Sequence, residues 1–271
     1  MWGLDPDLLA LVPRPVRAVF LLYPLGATAA ALSPGGEAAE GEVTAPPEGG
    51  PGSGPGAVFA AGSAPGVPWF TRQTIGNACG TVALLHAVAA AAAAAAPSGP
   101  PAAGPAARPP LLSPDGFLSR FLLAASDLDP AQRADLLERP PPGAPSLAAL
   151  HAEAAGAGQS RVPAADADVD LHFVALVEGG APPGSAPTGG ERGESLSAGW
   201  LWELDGRRRG PVCHGRLPTG AAGGEGGGEG GGSGPDLLAG AAAVARARVA
   251  NAGGSLQFNV MCLAKPGTAF G

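Results

Sequence analysis

The chain has 271 residues, and its 45 glycines and 31 prolines, set in no regular repeat, exclude a single domain packed continuously from end to end. Charged residues are only 14% and aromatics 5%, so core-forming side chains must be gathered into a minority of segments, about one domain's worth. The balance of 16 basic against 23 acidic residues gives −7, and no basic stripe with interleaved aromatics occurs, which argues against a nucleic-acid partner.

Val16 to Tyr23 is short, apolar and bounded by prolines, the pattern of a strand buried on both faces. Arg14 and Arg17 followed by Ala18–Leu25 imitate a signal peptide, but Asp5 and Asp7 ahead of it and Pro24 within it favour the buried strand. Residues 33–67 dissolve into Gly, Pro, Ala and Glu and read as a flexible insertion, having too few bulky groups to offset their ordering entropy. Ala78 to Ala96 is rich in strong helix formers and stops at Pro97; its nearly all-alanine second half is expected to project past the core. A second Pro/Ala insert, 97–110, follows.

Ser113-Pro114 and Asp129-Pro130 each place a capping side chain before a proline, predicting helices over 114–125 and 130–138, and Ser146 to Ala155 predicts another. Asp170–Val177, Gly199–Leu204, Arg209–Cys213 and Leu256–Leu263 carry β-branched and aromatic residues and read as strands of one sheet. Low-complexity inserts at 179–198 and 219–235 separate them, and Asp236–Val249 is a further helix. Helices followed by strands predict an α+β layered domain.

Cys79, Cys213 and Cys262 form no C-x-x-C pair, so neither a disulfide framework nor a zinc site is indicated, and a reducing compartment is the default. His214 beside Cys213 suggests no metal either, because adjacent strand residues point to opposite faces. No apolar run approaches the ~20 residues of a membrane span. Taken singly, the residues point mostly to structural roles: a lone cysteine is usually a small buried hydrophobe, and Glu203, Trp200 and Trp202 read as packing or solvated-face residues. Position changes the weighing for Cys79. It stands where the coil Gln73–Asn77 enters the long helix, whose unpaired N–H groups stabilise a thiolate. Its flanking glycines Gly76 and Gly80 allow another backbone to approach the sulfur. A histidine (His172) and then an aspartate (Asp205) on later strands give the order Cys, His, Asp used by papain-like hydrolases, although the spacing alone is not diagnostic. His86, two helical turns from Cys79, is too far away to act as its base.

The local wording is more specific. Gln73-Thr74-Ile75-Gly76-Asn77-Ala78-Cys79-Gly80-Thr81, with Leu84-Leu85-His86-Ala87-Val88 behind it, resembles the active-site signature of the ubiquitin carboxyl-terminal hydrolases (UCH), a family of thiol deubiquitinases. Val169–Val177 resembles that family's histidine strand. Leu201-Trp202-Glu203-Leu204-Asp205-Gly206-Arg207 resembles its aspartate strand, and the match continues through Pro211–Gly215. Leu4-Asp5-Pro6, Gly158-Gln159 and Leu256-Gln257-Phe258-Asn259 also fit, in the family's order.

The resemblance implies a papain-like α+β core with a central, mainly antiparallel sheet, forming a single catalytic domain over 1–271 interrupted by the four inserts. It implies Cys79 as nucleophile, His172 as general base and then acid, Asp205 orienting the imidazole, and Gln73 donating to the oxyanion. The implied substrate is ubiquitin, or a ubiquitin-like protein, cleaved at its C-terminal glycine through an acyl-enzyme thioester. No cofactor or metal is implied. A short, pliable loop over 156–169, before the histidine, implies preference for small or unstructured adducts. The family also carries a helix and an edge strand ahead of the region matched here, so the domain is expected to be N-terminally short. That keeps open a second reading, a catalytically weak or inactive ubiquitin-binding scaffold; a papain-like hydrolase of another substrate is a third. A monomer located in the cytoplasm, with the nucleus as a second compartment, completes the expectation.

Overall fold

Apolar segments scattered along the chain meet in one sheet. The computed structural model describes residues 3–25, 57–58, 66–95, 111–113, 115–158, 170–185, 199–219, 234–252 and 257–264. The elements run α1 (Pro6–Leu9), β1 (Val16–Pro24), β2 (Ala57–Val58), α2 (Cys79–Ala95), α3 (Phe117–Ala124), α4 (Pro130–Glu138), α5 (Leu147–Ala157), β3 (Leu171–Gly179), β4 (Trp200–Leu204), β5 (Val212–Arg216), α6 (Leu237–Asn251) and β6 (Asn259–Ala264). Among the described residues the sheet has six strands, all antiparallel, in the order β2-β5-β4-β3-β1-β6. This is the expected α+β architecture. No described helix is long and apolar enough to cross a membrane.

Strand alternation sorts the core into two faces. Ala175 and Val177 of β3, with Trp202 and Leu204 of β4, pack with Phe70 against Ala83, Ala87 and Ala90 of α2. The intervening residue Leu176, with Val19 of β1 and Leu201 of β4, packs instead on Leu237, Leu238 and Ala241 of α6. The sheet therefore lies between α2 and α6. Val82, on another side of α2, meets Phe121, Leu137 and Leu147, which adds a layer of small helices. Arg133 ties that layer to the coil before α2: its guanidinium donates to the carbonyls of Phe70 (2.9 Å), Ala125 (3.0 Å) and Ser126 (3.1 Å) and lies over the Trp69 ring.

The cap that the sequence places at Asp129 forms, and side chains cap two further helices. Asp129 and Gln132 form a reciprocal capping box on α4, Ser146 accepts from Ala149 N–H on α5, and Asp236 accepts from Ala239 N–H on α6 while pairing with Arg14 at 2.7 Å. At α3 the start differs. The Ser113 carbonyl is occupied by Gly116 N–H and the Ser119 hydroxyl, a turn that delays the helix to Phe117.

Other boundaries also move. The strand predicted over 209–213 is found at Val212–Arg216, because Arg207 N–H bonds the Asp205 side chain and Arg208 N–H its carbonyl, which makes a turn there. Within the stretch expected to be a flexible insert, Ala57 and Val58 pair with Cys213 and Val212, and within 179–198 strand β3 runs on to Gly179. Thr219 and Pro235 pair across the base of the 219–235 insert. The insert 97–110 and residues 159–169 of the loop before β3 lie outside the described residues. The alanine half of α2 does not simply project. Ala89, Ala90 and Ala91 are buried, since a helix face without bulk can approach the sheet closely.

Candidate active site

The coil ahead of α2 turns sharply at Asn77, whose φ of 57° is left-handed, a region asparagine tolerates better than most residues. Ala78 is fully buried behind the turn and its carbonyl accepts the first helical bond, from Val82 N–H at 2.9 Å. Cys79 is thus the first residue of α2, at the positive end of a helix of 17 residues. Burial pushes its thiol up, but hydrogen bonding from His172 and from the backbone N–H of Phe173, then the charge of His172, outweigh it, and the thiol lies below its ordinary value. The predicted close approach occurs at Gly80, though through a side chain: a Cβ there would stand 3.3 Å from the Phe173 ring, next to His172.

His172 is the second residue of β3 and is buried, its Nε2 lying 2.7 Å from Asp205 Oδ1. With Nε2 engaged, Nδ1 is the nitrogen left for Cys79. Burial disfavours the imidazolium, but Asp205 and then Cys79 more than compensate, and His172 is raised to about 9. Asp205 directly follows β4, at the turn into Gly206. Oδ1 also accepts from Arg207 N–H at 2.9 Å, and Arg208 Nε stands 3.5 Å from Oδ2. Burial opposes its charge, yet His172 holds it below the usual carboxylate range.

Gln73 is joined to the same turn: its backbone N–H donates to the Gly206 carbonyl at 2.8 Å. A Cβ at Gly206 would come within 2.9 Å of Gln73 Cβ, so glycine is what lets the two segments touch. One N–H of the Gln73 amide donates to Ile75 O at 3.0 Å, which fixes the amide and leaves its second N–H free of that bond. The structure therefore brings all four expected residues to one end of the sheet, with Cys79 and Gln73 delivered by the helical side and His172 and Asp205 by the strands. A thiol and an imidazole hydrogen-bonded to each other, with the imidazole held by a carboxylate, can perform nucleophilic acyl transfer. His86 is elsewhere: fully buried, stacked on Phe70, with Nε2 3.1 Å from Thr71 N, and pushed down to about 4 by burial.

The sequence profile described as "Ubiquitin carboxyl-terminal hydrolase, family 1" matches residues 1–223. The chain belongs to this family. Among curated relatives, a ubiquitin carboxyl-terminal hydrolase of Aplysia californica is 31% identical over 215 residues, covering 79% of this chain and 72% of that protein. Ubiquitin carboxyl-terminal hydrolase 3 of Arabidopsis thaliana is 28% identical over 265 residues, covering 98% of this chain and 82% of that one. In fold, the hydrolase resembles the catalytic domain of Trichinella spiralis UCH37, solved bound to ubiquitin vinyl methyl ester, with TM-score 0.51, 18% identity, and coverage of 97% of this chain and 81% of the other.

One part of this hydrolase's site region escaped the sequence reading. Glu203 is neither apolar packing nor solvated: it is buried, its carboxylate 2.6 and 2.7 Å from Arg248 Nη2 and 2.8 Å from His214 Nε2. Burial opposes its charge, but Arg248 first and His214 second hold the carboxyl far below its usual range. Arg248, in α6, also lies over the Tyr23 ring. The one available signal was the i, i+2 spacing of Glu203 and Asp205, which puts two carboxylates on one strand face. Among the described residues no three His, Cys, Asp or Glu side chains gather as metal ligands.

Proposed function

We propose that Cys79 is the nucleophile of a hydrolase acting at the C-terminal glycine of ubiquitin, with His172, Asp205 and Gln73 in the supporting roles. The observation that carries this reading is the arrangement of Cys79 at the start of α2 beside His172, whose Nε2 stands 2.7 Å from Asp205 Oδ1; in keeping with it the thiol of Cys79 is lowered and the imidazole of His172 raised to about 9. Such a pair is poised as thiolate and imidazolium. The sulfur attacks the glycine carbonyl, and the resulting oxyanion is met by the second N–H of Gln73 and the backbone N–H of Cys79. His172 gives its Nδ1 proton to the leaving amine, which departs as the acyl thioester remains on Cys79. His172, now neutral, takes a proton from water as it attacks the thioester, and the returned thiolate–imidazolium pair closes the cycle.

Family membership and the solved complex of the Trichinella protein support ubiquitin as the partner. The short connection from α5, which ends at Ala157, to β3, which begins at Leu171, supports small or unstructured leaving groups over folded conjugates. The test is reaction of the full chain with ubiquitin carrying a C-terminal thiol-reactive group, beside Cys79→Ala, followed by turnover of ubiquitin linked to a small amine and to a folded protein. A Cys79-dependent adduct and faster release of the small amine are expected. An adduct that survives Cys79→Ala would overturn the assignment, and equal turnover of both conjugates would overturn the preference.

A further inference from the structure

The buried charges beside the catalytic pair form a connected path. Tyr23 and His172 are direct cross-strand partners of β1 and β3, and their rings meet edge to face, 5.9 Å apart at 86°. The Arg248 guanidinium lies on the Tyr23 ring, 4.6 Å from its centroid. Nη2 of Arg248 serves both oxygens of Glu203, whereas Nη1 is buried with no hydrogen-bond partner among the described residues, so the negative face of the tyrosine ring is the acceptor left to it. Glu203 of β4 in turn stands two residues before Asp205, which directly follows that strand, and both are buried. Two buried carboxylates so placed oppose each other's ionisation unless one is neutralised.

We infer that Arg248 is a positioning residue for His172: it neutralises Glu203, leaving the charge of Asp205 to the imidazole, and holds Tyr23 as the wall against which the imidazole rests. This rests on the assignment of His172 and Cys79 above. The guanidinium reaches across from α6, whereas the nucleophile is carried by α2, so the two helices on opposite faces of the sheet set the two halves of the pair. The groups that face this path are Asp205 and Glu203 from β4 and its turn, Arg208 beyond Asp205, His214 from β5, Tyr23 from β1 and Cys79 from α2. The Arg248 side chain is buried between Glu203 and Tyr23.

The test uses the full chain and three variants: Arg248→Met, the charge-balanced double variant Glu203→Gln/Arg248→Met, and Arg248→Lys. Turnover is read with ubiquitin carrying a fluorogenic C-terminal amide. Independently of ubiquitin, alkylation of Cys79 by iodoacetamide is followed against pH by mass analysis of the Cys79 peptide. The double variant removes both buried charges and so isolates the hold on Tyr23, keeping the inference falsifiable where Arg248→Met does not fold. A folded Arg248→Met also leaves Glu203 uncompensated beside Asp205 and is expected to lose more turnover than the double variant. In the double variant kcat is expected to fall roughly tenfold, the scale of one desolvated cation–π contact, with KM within about twofold of wild type. Its Cys79 alkylation profile is expected to move to higher pH, and Arg248→Lys to recover part of both effects. A folded double variant with wild-type kcat and an unmoved alkylation profile would overturn the inference, as would a rise in KM at constant kcat. Failure of the wild-type chain to release the amide would instead count against the ubiquitin reading, and the alkylation arm would still decide the role of Arg248.

Discussion

Helix α2 meets the sheet through alanines, whereas α6 meets it with alanine and leucine along most of its length and a guanidinium in its last turn. On the α2 face the one buried guanidinium among the described residues, Arg133, bonds backbone carbonyls beside the packed residues and pairs with no carboxylate. Precision comes from closeness: small side chains at Ala83, Ala87 and Ala90 bring the helix down onto Trp202 and Leu204, and the helix start delivers Cys79. On the α6 face precision comes from charge, with Arg248, Glu203 and His214 locked together beneath Tyr23. The two faces should therefore fail differently, the first through volume and the second through unpaired charge.

The largest effect separates chemistry from packing on the α2 face. Cys79→Ala removes the sulfur at a half-buried helix start and should leave the melting temperature close to wild type, while turnover of a ubiquitin amide falls by on the order of 10⁵ to 10⁶. Glu203→Ala strikes the other face. It strands Arg248 in the interior, and urea unfolding should show a loss of about 3–5 kcal/mol, the usual result of breaking a buried ion pair from one side. Gln73→Ala should return the reading to chemistry, lowering kcat by about 10² to 10³ with little change in stability. Ala87→Leu adds three carbons where a helix lies against Phe70 and Trp202, and should cost about 1–3 kcal/mol by overpacking. If Glu203→Ala were milder than Ala87→Leu, the contrast between the faces would collapse.

The α2 side was the more readable in sequence. The motif around Cys79, the alanine run and the proline stop mark the helix and the cysteine at its start with local information alone, because each depends on neighbours a few residues away. The cap at Asp129 was readable for the same reason. The α6 side was not. Arg248 pairs with Glu203, 45 positions earlier, and with a tyrosine of β1, so nothing near it distinguishes it from Arg246, whose guanidinium is exposed and bonds the Leu4 carbonyl. The pairing of Ala57–Val58 with β5 was hidden likewise, since two small residues in a Gly/Pro-rich stretch carry no period. Where the β5 boundary shifted, the decisive bonds were those of the Asp205 turn rather than strand propensity.

The smallest expected effect concerns the catalytic pair as a contributor to stability. His172 is raised in the folded chain, so its contribution is fully present below its unfolded value of about 6.5 and is lost as pH rises through about 9. Cys79 is lowered, so its contribution has the opposite sense: it is present above the unfolded thiol's value of about 8.5 and is lost as pH falls through the folded one. Between about 6.5 and 8.5 the folded imidazolium holds a proton that the unfolded histidine has released, and once Cys79 ionises the folded thiolate lacks one that the unfolded thiol keeps. These slopes are each at most about 1.4 kcal/mol per pH unit and have opposite signs, so they offset each other in wild type. Cys79→Ala removes only the offset. Its melting temperature should therefore fall more steeply than that of wild type from pH 6.5 to 8.5, while Asp205 still holds the imidazolium. Parallel melting curves across that interval would mean that the folded thiol binds as many protons there as the unfolded one, so that the helix start and His172 place the sulfur without lowering it into that range.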